Sequence, residues 1–134
     1  MNKLFTLIIL VFSAFACNKT KETKETSINK IVIHSVNLDI DTGSDVSCQD
    51  FNLTFGSHVK DKSIEDKSIL TELENLLKET KKIKKNKSVD VRRKIVIYYK
   101  DKTVDTLCAG RFNILVNNQL LEENTDLLNF VLDL

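Results

Sequence analysis

The amino-acid sequence predicts an α+β domain, built on an antiparallel sheet of about five strands with helices covering one face. Two patterns lead to this class. Several short segments alternate apolar and polar residues, whereas one long segment between them has apolar residues every three or four positions. No repeated strand–helix–strand unit occurs in the sequence, so a parallel sheet is not expected. The predicted order is β-β-α-β-β-β-(β)-α.

The first predicted strand begins near Ile28 and is rich in β-branched residues as far as Leu38. Turn-forming residues follow at 41–45. The next segment, 46–55, is predicted to be a second strand because its large apolar side chains alternate with polar ones: Phe51, Leu53 and Phe55. The two strands are expected to pair as an antiparallel hairpin.

Residues 63–84 are predicted to form an amphipathic helix, because their apolar side chains fall on one stripe. The stripe consists of Ile69, Leu73, Leu76, Leu77 and Thr80. Near the start, Ser63 with Asp66, or Ser68, can accept the first backbone amide hydrogens, and lysines at the end favour the negative pole of the helix dipole. The apolar stripe is expected to cover a face of the sheet.

Three further strands are predicted after this helix, as a meander of alternating apolar and polar residues. They span residues 91–99, 103–108 and 111–116. In the last of them, Phe112 is expected to share one face with Ile114 and Val116.

The chain is predicted to end with a hairpin and a second helix. Asn117 and Asn118 tolerate the positive backbone angle of a tight turn, so residues 119–121 are expected to form a short last strand. Thr125 is then expected to cap a terminal helix. The apolar residues of this helix are Leu127, Leu128 and Val131.

Residues 1–16 have the three parts of an export signal, namely a cationic start, an apolar run and a close in small residues. Cys17 follows directly. Together these residues resemble the type II signal peptide of bacterial lipoproteins, with residues 14–17 in the position of the lipobox. Ala16 and Cys17 match that motif, whereas Ala14 replaces the usual leucine and position 15 holds a bulkier residue than usual.

The resemblance implies that residues 1–16 are removed and that Cys17 carries lipid, which anchors an exported protein to the bacterial envelope. Two alternatives remain open. Residues 14–16 also satisfy the rule for ordinary signal peptidase, which would release a soluble periplasmic or secreted protein. An uncleaved membrane anchor fits less well, since the apolar run is shorter than the roughly 20 residues that span a bilayer.

A polar tether is predicted from Cys17 through residue 29, followed by a single folded domain over residues 30–134. The tether contains a repeated Lys-Glu-Thr unit and too few apolar side chains to fold. Removal of the leader takes away one lysine, so the net charge of +1 falls to about zero. A neutral, exported chain is not expected to bind nucleic acid.

The three cysteines would leave one unpaired if two of them formed a disulfide. If Cys17 is acylated, Cys48 and Cys108 become the natural disulfide partners in an oxidising compartment. The alternative is a pair of buried free thiols.

The sequence contains no glycine-rich phosphate loop, nucleophile elbow, metalloprotease motif or C-x-x-C motif, so neither an enzyme nor a cofactor is expected. Residues Asp39–Asp45 place carboxylates at alternate positions around a turn, but the glycine is fifth rather than sixth and the EF-hand pattern fails. No metal site is therefore expected.

The two histidines are interpreted differently. His34 is interpreted as a hydrogen-bonded core or edge residue, and His58 as the more accessible histidine.

The main charged feature is a run of lysines at the end of the predicted helix: Lys78, Lys81, Lys82, Lys84, Lys85 and Lys87. It is interpreted either as a contact for an acidic envelope partner or anionic surface, or as a solvated helix end.

Two function classes follow from the sequence. The preferred class is a lipid-anchored binding, inhibitory or structural accessory module, because the small domain is tethered, neutral and free of catalytic motifs. The alternative is a small-ligand-binding or hydrolytic protein with a pocket near His58 or residues 39–45.

Overall fold

The computed structural model describes residues 27–85 and 87–134. Its strands are β1 (Ile28–Ser35), β2 (Lys60–Ile64), β3 (Arg93–Tyr99), β4 (Val104–Ala109), β5 (Ile114–Val116) and β6 (Gln119–Leu120), and its helices are α1 (Phe51–Phe55), α2 (Lys67–Glu79) and α3 (Thr125–Asp133). The strands form one antiparallel sheet in the order β2-β1-β3-β4-β5-β6. The α+β class and the antiparallel sheet are confirmed, with six strands in place of about five. The predicted signal peptide, Cys17 and the tether as far as residue 26 lie outside the described residues.

The first face of the sheet carries the larger hydrophobic core. The antiparallel register of β1 and β3 sets Ile31 beside Ile97, and Ile33 beside Ile95. All four side chains are at most 2% exposed. Buried side chains of the two longer helices join the same cluster: Leu70, Leu73, Leu127 and Val131. Each of these aliphatic side chains contributes about 1.5–3 kcal/mol by leaving water, so this cluster supplies much of the stability of the domain.

The second face of the sheet carries a smaller core near the ends of β1 and β4. Phe51 and Phe55 of α1 are buried there, at 0% and 3% exposure. They cluster with Cys108 of β4, with Leu120 of β6 and with apolar residues from the connecting segments: Val36, Val46, Val89 and Val91. Residues 36–59, which join β1 to β2, therefore form a second layer over part of this face.

The predicted second strand over residues 46–55 is wrong. Its last five residues form α1, because the spacing that suggested a strand also places Phe51 and Phe55 on one face of a helix. The two rings meet edge to face with centroids 5.1 Å apart, while Leu53 between them is 87% exposed. A hydrogen-bonded turn precedes the helix, in which the Ser47 hydroxyl donates to the Asp50 carboxylate at 2.6 Å.

The hairpin partner of β1 is β2, and the predicted hairpin with residues 46–55 is wrong as well. The apolar pattern of the sequence does not indicate β2, because four of its five residues are exposed and only Ile64 is buried. β2 lies at the edge of the sheet, where lysine and aspartate side chains disfavour pairing with the edge of another sheet.

Helix α2 is the predicted amphipathic helix, but it is shorter at both ends than residues 63–84. It begins after Asp66, whose carboxylate accepts the amide hydrogens of Ser68 and Ile69 at 2.9 and 3.3 Å. The Ser68 hydroxyl also donates to this carboxylate, and together these bonds lower the pKa of Asp66. The residues before Asp66 belong to β2 and its connection.

The strands at the end of the chain follow the predicted order with one correction. β5 contains only Ile114–Val116, so Phe112 lies in the turn before it and does not share its buried face. The turn at Asn117 and Asn118 is confirmed, with backbone φ angles of 50° and 63°.

The N-cap of α3 is Asn124 rather than the predicted Thr125. The Asn124 side-chain oxygen accepts the Leu127 amide hydrogen at 3.0 Å. The side-chain amide of the same asparagine donates to the Thr80 hydroxyl at 2.7 Å, which ties the start of α3 to the end of α2.

The predicted disulfide between Cys48 and Cys108 is present, with the two Cα atoms 5.8 Å apart. Cys108 lies within β4 and points to the second face, whereas Cys48 belongs to the segment that crosses that face. The disulfide therefore attaches this second layer covalently to the sheet.

The variant Cys48→Ala/Cys108→Ala is expected to lose about 4 kcal/mol of unfolding free energy, because its unfolded chain is no longer closed into a loop. Urea denaturation followed by circular dichroism measures the loss. Fully reduced wild-type protein is the matched control and should unfold at the midpoint of the variant. If the variant were as stable as the oxidised wild type, the disulfide would have no stabilising role.

Candidate interaction surfaces

The two ends of the sheet differ in what they present. At one end, here called the tether end, the Lys100 amide donates to the Ser27 carbonyl oxygen at 3.1 Å, so the described chain begins beside the β3–β4 turn. At the opposite end, here called the distal end, residues 110–113 turn from β4 into β5. Within this distal turn, the Gly110 amide donates to the Asn113 carbonyl oxygen at 3.0 Å.

The distal turn presents an aromatic side chain to solvent, since Phe112 is 77% exposed. The turn itself is closely packed. A Cβ atom at Gly110 would lie 2.6 Å from the Asp90 carbonyl oxygen, so glycine is required for this close backbone approach. The Arg111 guanidinium donates to the Leu38 carbonyl oxygen in the segment after β1. Phe112 is therefore carried by a turn that is held on both sides.

The lysine-rich run lies along the β6 edge of the sheet and ends at the distal turn. The Ile83 amide donates to the Leu120 carbonyl oxygen at 2.8 Å, beside β6. Farther along, the Lys87 ammonium donates to the Asn113 side-chain oxygen at 3.2 Å. All of the predicted contact lysines are exposed: Lys78, Lys81, Lys82, Lys84, Lys85 and Lys87. The run thus brings positive charge to the distal turn.

One buried guanidinium organises the second layer next to the distal turn. Arg92 is 4% exposed, and its Nη1 atom lies 2.5 Å from the Asp90 carboxylate. Its Nη2 atom donates to the Ile40 carbonyl oxygen at 3.3 Å and to the Thr42 hydroxyl at 3.0 Å. These bonds hold the segment after β1 in place, and this is the segment to which Arg111 of the distal turn binds.

The second face is open toward the tether end. The strand register places two cross-strand rows of side chains there, with Lys30, Tyr98 and Val104 in one row and Ser63, Val32, Val96 and Thr106 in the next. Among the described residues, the apolar members of these rows belong to neither hydrophobic cluster: Val32, Val96, Tyr98 and Val104. Tyr98 and Val104 are 39% and 49% exposed. These four side chains are here called the open strip.

Basic side chains border the open strip. Lys30 lies in its outer row, 4.0 Å from the Glu65 carboxylate. Lys94 lies in the row on the other side, directly across from His34. The His34 Nδ1 atom is 2.7 Å from the Asp61 carboxylate, so this histidine of β1 is hydrogen-bonded, as predicted, and its partner lies in the edge strand β2.

A pocket of about 210 Å³ lies between α2 and the tether end of the sheet. Its apolar lining includes Ile28, Leu77, Val116 and Leu121. Four of its polar side chains are paired within the domain. The Tyr99 hydroxyl donates to the Asp105 carboxylate at 2.9 Å, and the Glu74 carboxylate accepts from the Lys78 ammonium at 2.8 Å. Burial, followed by the contact with Asp105, raises the pKa of Tyr99. The Ile28 amide also donates to the Glu74 carboxylate at 3.3 Å, which ties α2 to β1.

Near the residues predicted for an alternative pocket, Asp45 lines two pockets of about 280 and 290 Å³. Within Asp39–Asp45, the Asp41 carboxylate accepts an amide hydrogen of its own turn at 3.0 Å, and Asp45 accepts from the Ser88 hydroxyl at 2.7 Å. His58 is exposed at the end of a 3-10 helix. In the part of the chain that the structure describes, no three His, Cys, Asp or Glu residues are grouped so that they could hold a metal ion.

Sequence reasoning missed the distal turn and the open strip, although the residue types at both places indicate them. Gly110 and Asn113 are turn-forming residues on either side of Phe112, and they outweigh the alternation that assigned Phe112 to β5. Residues 95–99 are apolar or aromatic without interruption. Such a strand has apolar side chains on both faces, and the second set needs either a cover or a partner.

No protein-family model matches this chain, and no curated protein or solved structure is significantly similar to it. Over residues 27–85 and 87–134, none of the helices combines the length and the apolar character needed to cross a bilayer. The chemistry of the surfaces themselves is therefore the basis for assigning a function.

Loss of the Glu74 carboxylate is expected to destabilise the domain in a pH-dependent way. A hydrogen bond from Lys78 is the main factor that lowers the pKa of Glu74 below its ordinary value of 4.5. The ionised carboxylate therefore stabilises the folded state above pH 4.5, and this contribution is lost as the pH falls through the lowered pKa. Glu74→Gln should be less stable than wild type at neutral pH, with a difference that shrinks in acid.

Thermal unfolding between neutral and acidic pH measures this difference. Glu72→Gln, at an exposed position of the same helix, is the matched control for loss of one negative charge. A difference between Glu74→Gln and wild type that stayed constant with pH would contradict the stabilising role of the ionised carboxylate.

Proposed function

We propose that this protein is a lipid-anchored accessory module of the bacterial envelope, which binds a partner macromolecule through its distal end and performs no catalysis itself. The observation that carries the proposal is the 77% exposure of Phe112 on a closely packed turn. A phenylalanine exposed on an ordered turn is a candidate anchor for a complex, because aromatic side chains are enriched in the buried centres of protein interfaces. The proposed role is therefore binding, inhibition or structural support of an envelope partner.

The residues around Phe112 support a protein partner. Aromatic and arginine side chains dominate the energetics of protein interfaces, and Phe112 follows Arg111 in the same turn. Burial of a phenylalanine side chain contributes about 1.5–3 kcal/mol, which is enough for one hot spot. The flanking contacts of Gly110 reduce the entropy lost when Phe112 is bound, because the turn is already ordered.

The charges near the distal turn indicate the chemistry of this partner. Lys87 contacts the turn directly, and Lys84 and Lys85 precede it on the same exposed edge. Together with Arg111 they favour an acidic rim around an apolar pocket on the partner. The near-neutral charge of the chain after loss of its leader disfavours nucleic acid as that partner.

The proposed anchor is lipid on Cys17, and the position of the first described residue is compatible with it. Ser27 is bound at the tether end of the sheet. The distal turn lies at the opposite end, about 20 Å away along a strand of seven residues. An anchor at the tether end would therefore direct Phe112 away from the membrane.

We also propose that the first face is the one covered by helices. The shared core of the sheet with α2 and α3 supports this arrangement. It leaves the uncovered part of the second face and the distal turn as the surfaces for contacts with other molecules.

The lipid anchor is tested by metabolic labelling with a fatty acid. Wild-type protein should take up the label, and Cys17→Ala should lose it completely because the acceptor sulfur is gone. Ala14→Leu, which restores the usual lipobox residue, should label at least as strongly as wild type. Equal labelling of wild type and Cys17→Ala, or none in either, would show that Cys17 is not the acceptor.

The distal interface is tested by affinity purification from solubilised membranes after crosslinking. Phe112→Ala should reduce recovery of the partner about 30-fold, as expected for a hot spot of about 2 kcal/mol. Leu53→Ala removes an exposed apolar side chain from α1 and is the matched control, with recovery close to that of wild type. An equal reduction by both substitutions, or by neither, would refute the assignment of the interface to the distal turn.

A further inference from the structure

We propose that the open strip rests on an anionic lipid surface, so that the domain touches the membrane that anchors it. The inference goes beyond the distal interface but depends on the proposed lipid at Cys17. It is carried by the side chains of Val32, Val96, Tyr98 and Val104, which belong to neither core cluster.

The position of the open strip relative to the anchor supports this contact. Nine residues separate Cys17 from Ser27, so the connection spans at most about 35 Å. Ser27 is hydrogen-bonded to Lys100, two residues beyond Tyr98 in the chain. The open strip is therefore the part of the second face that adjoins the anchored end, whereas the second layer and its disulfide lie toward the distal end.

The composition of the open strip fits the headgroup region of a bilayer. Tyrosine and valine place apolar surface next to a hydroxyl, and tyrosine is favoured where one end of a side chain is apolar and the other is wet. Lys30 and Lys94 border the strip and attract anionic headgroups. Two carboxylates lie beside these lysines: Asp61 is hydrogen-bonded to His34 at 2.7 Å, and Glu65 lies 4.0 Å from the Lys30 ammonium.

A second copy of the chain fits the open strip less well. A symmetric dimer places the same patch of both copies together. Lys30 and Lys94 of one copy would then approach those of the other, and like charges in contact oppose association. The same lysines favour an anionic lipid surface.

The contact can be tested with a single fluorescent reporter, because the natural chain contains no tryptophan. The acylated protein with Tyr98→Trp is reconstituted into vesicles of phosphatidylethanolamine and phosphatidylglycerol that contain brominated lipid. Phe112→Trp in the same vesicles is the matched control, since it places the reporter in the distal turn. Val104→Trp is a second reporter of the open strip, in case Tyr98→Trp does not fold.

Quenching and a blue shift of the Tyr98→Trp or Val104→Trp emission, without quenching of Phe112→Trp, are the expected results. Lys94→Gln should lower the ratio of docked to undocked protein about fivefold. Lys30→Gln should lower it less, because the Glu65 carboxylate lies 4.0 Å from the Lys30 ammonium. Lys85→Gln removes an equal charge from the β6 edge and should have little effect. Vesicles of phosphatidylcholine alone should quench the open-strip reporters less.

Other outcomes would overturn the inference. Equal quenching of the reporters at positions 98 and 112 would show contact without orientation, and absence of quenching at 98 and 104 would show that the open strip does not touch lipid. Unquenched protein that sediments as a dimer would assign the strip to a second copy.

The intact mass of the protein, measured beforehand, establishes whether Cys17 is acylated. Acylated but unquenched protein therefore refutes only this inference, whereas unacylated protein refutes the anchor as well.

Discussion

Attachment of residues 36–59 to the second face of the sheet is the constraint on which both candidate surfaces depend. Two contacts provide it. The disulfide joins Cys48 to Cys108 in β4, and the buried Arg92 guanidinium reaches the carbonyl oxygen of Ile40 while lying 5.3 Å from the centre of the Phe55 ring. Because these contacts lie toward the distal end, the second layer closes that half of the face and leaves the tether half open. The same layer also holds the distal turn, because its Leu38 carbonyl oxygen accepts a hydrogen bond from the Arg111 guanidinium.

The two faces of the sheet are stabilised in different ways. The first face uses aliphatic packing, with Ile31, Ile33, Ile95 and Ile97 almost completely buried in the centre of the sheet. The second face has fewer apolar side chains and combines them with a covalent bond and a buried charge. A buried guanidinium is costly to desolvate. Here a carboxylate, a carbonyl oxygen and a hydroxyl accept from the two terminal nitrogens of Arg92, whereas its Nε has no hydrogen-bond partner among the described residues. A small domain with a limited core benefits from such additional attachments.

The charged and the exposed aromatic side chains are concentrated at particular places on the domain, although the net charge is small. The net charge is close to zero without the leader, yet lysines line the β6 edge and border the open strip. The exposed aromatic side chains also lie at opposite ends of the sheet, Tyr98 toward the tether and Phe112 on the distal turn. This arrangement is consistent with the proposed protein that is held at one end and binds at the other. Glu74, Tyr99 and Asp105 have no part in it, because Glu74 is paired with Lys78 within α2 and Tyr99 is hydrogen-bonded to Asp105 between β3 and β4.

The sequence by itself determined the class of the fold, the central strands, the amphipathic helix and the Asn117–Asn118 turn, because each leaves a local pattern of spacing or residue type. It favoured the disulfide but left two free thiols open, and the approach of Cys48 to Cys108 in β4 decided between them. It also predicts the lipid on Cys17 from the leader alone. Only the tertiary structure decided the pairing of β1 with β2, since an exposed edge strand has no apolar pattern. It likewise decided that Phe51 and Phe55 share a helix and that Phe112 is exposed. A one-in-two alternation is ambiguous over five residues, and long-range contacts with Arg92, Cys108 and Leu38 resolve it.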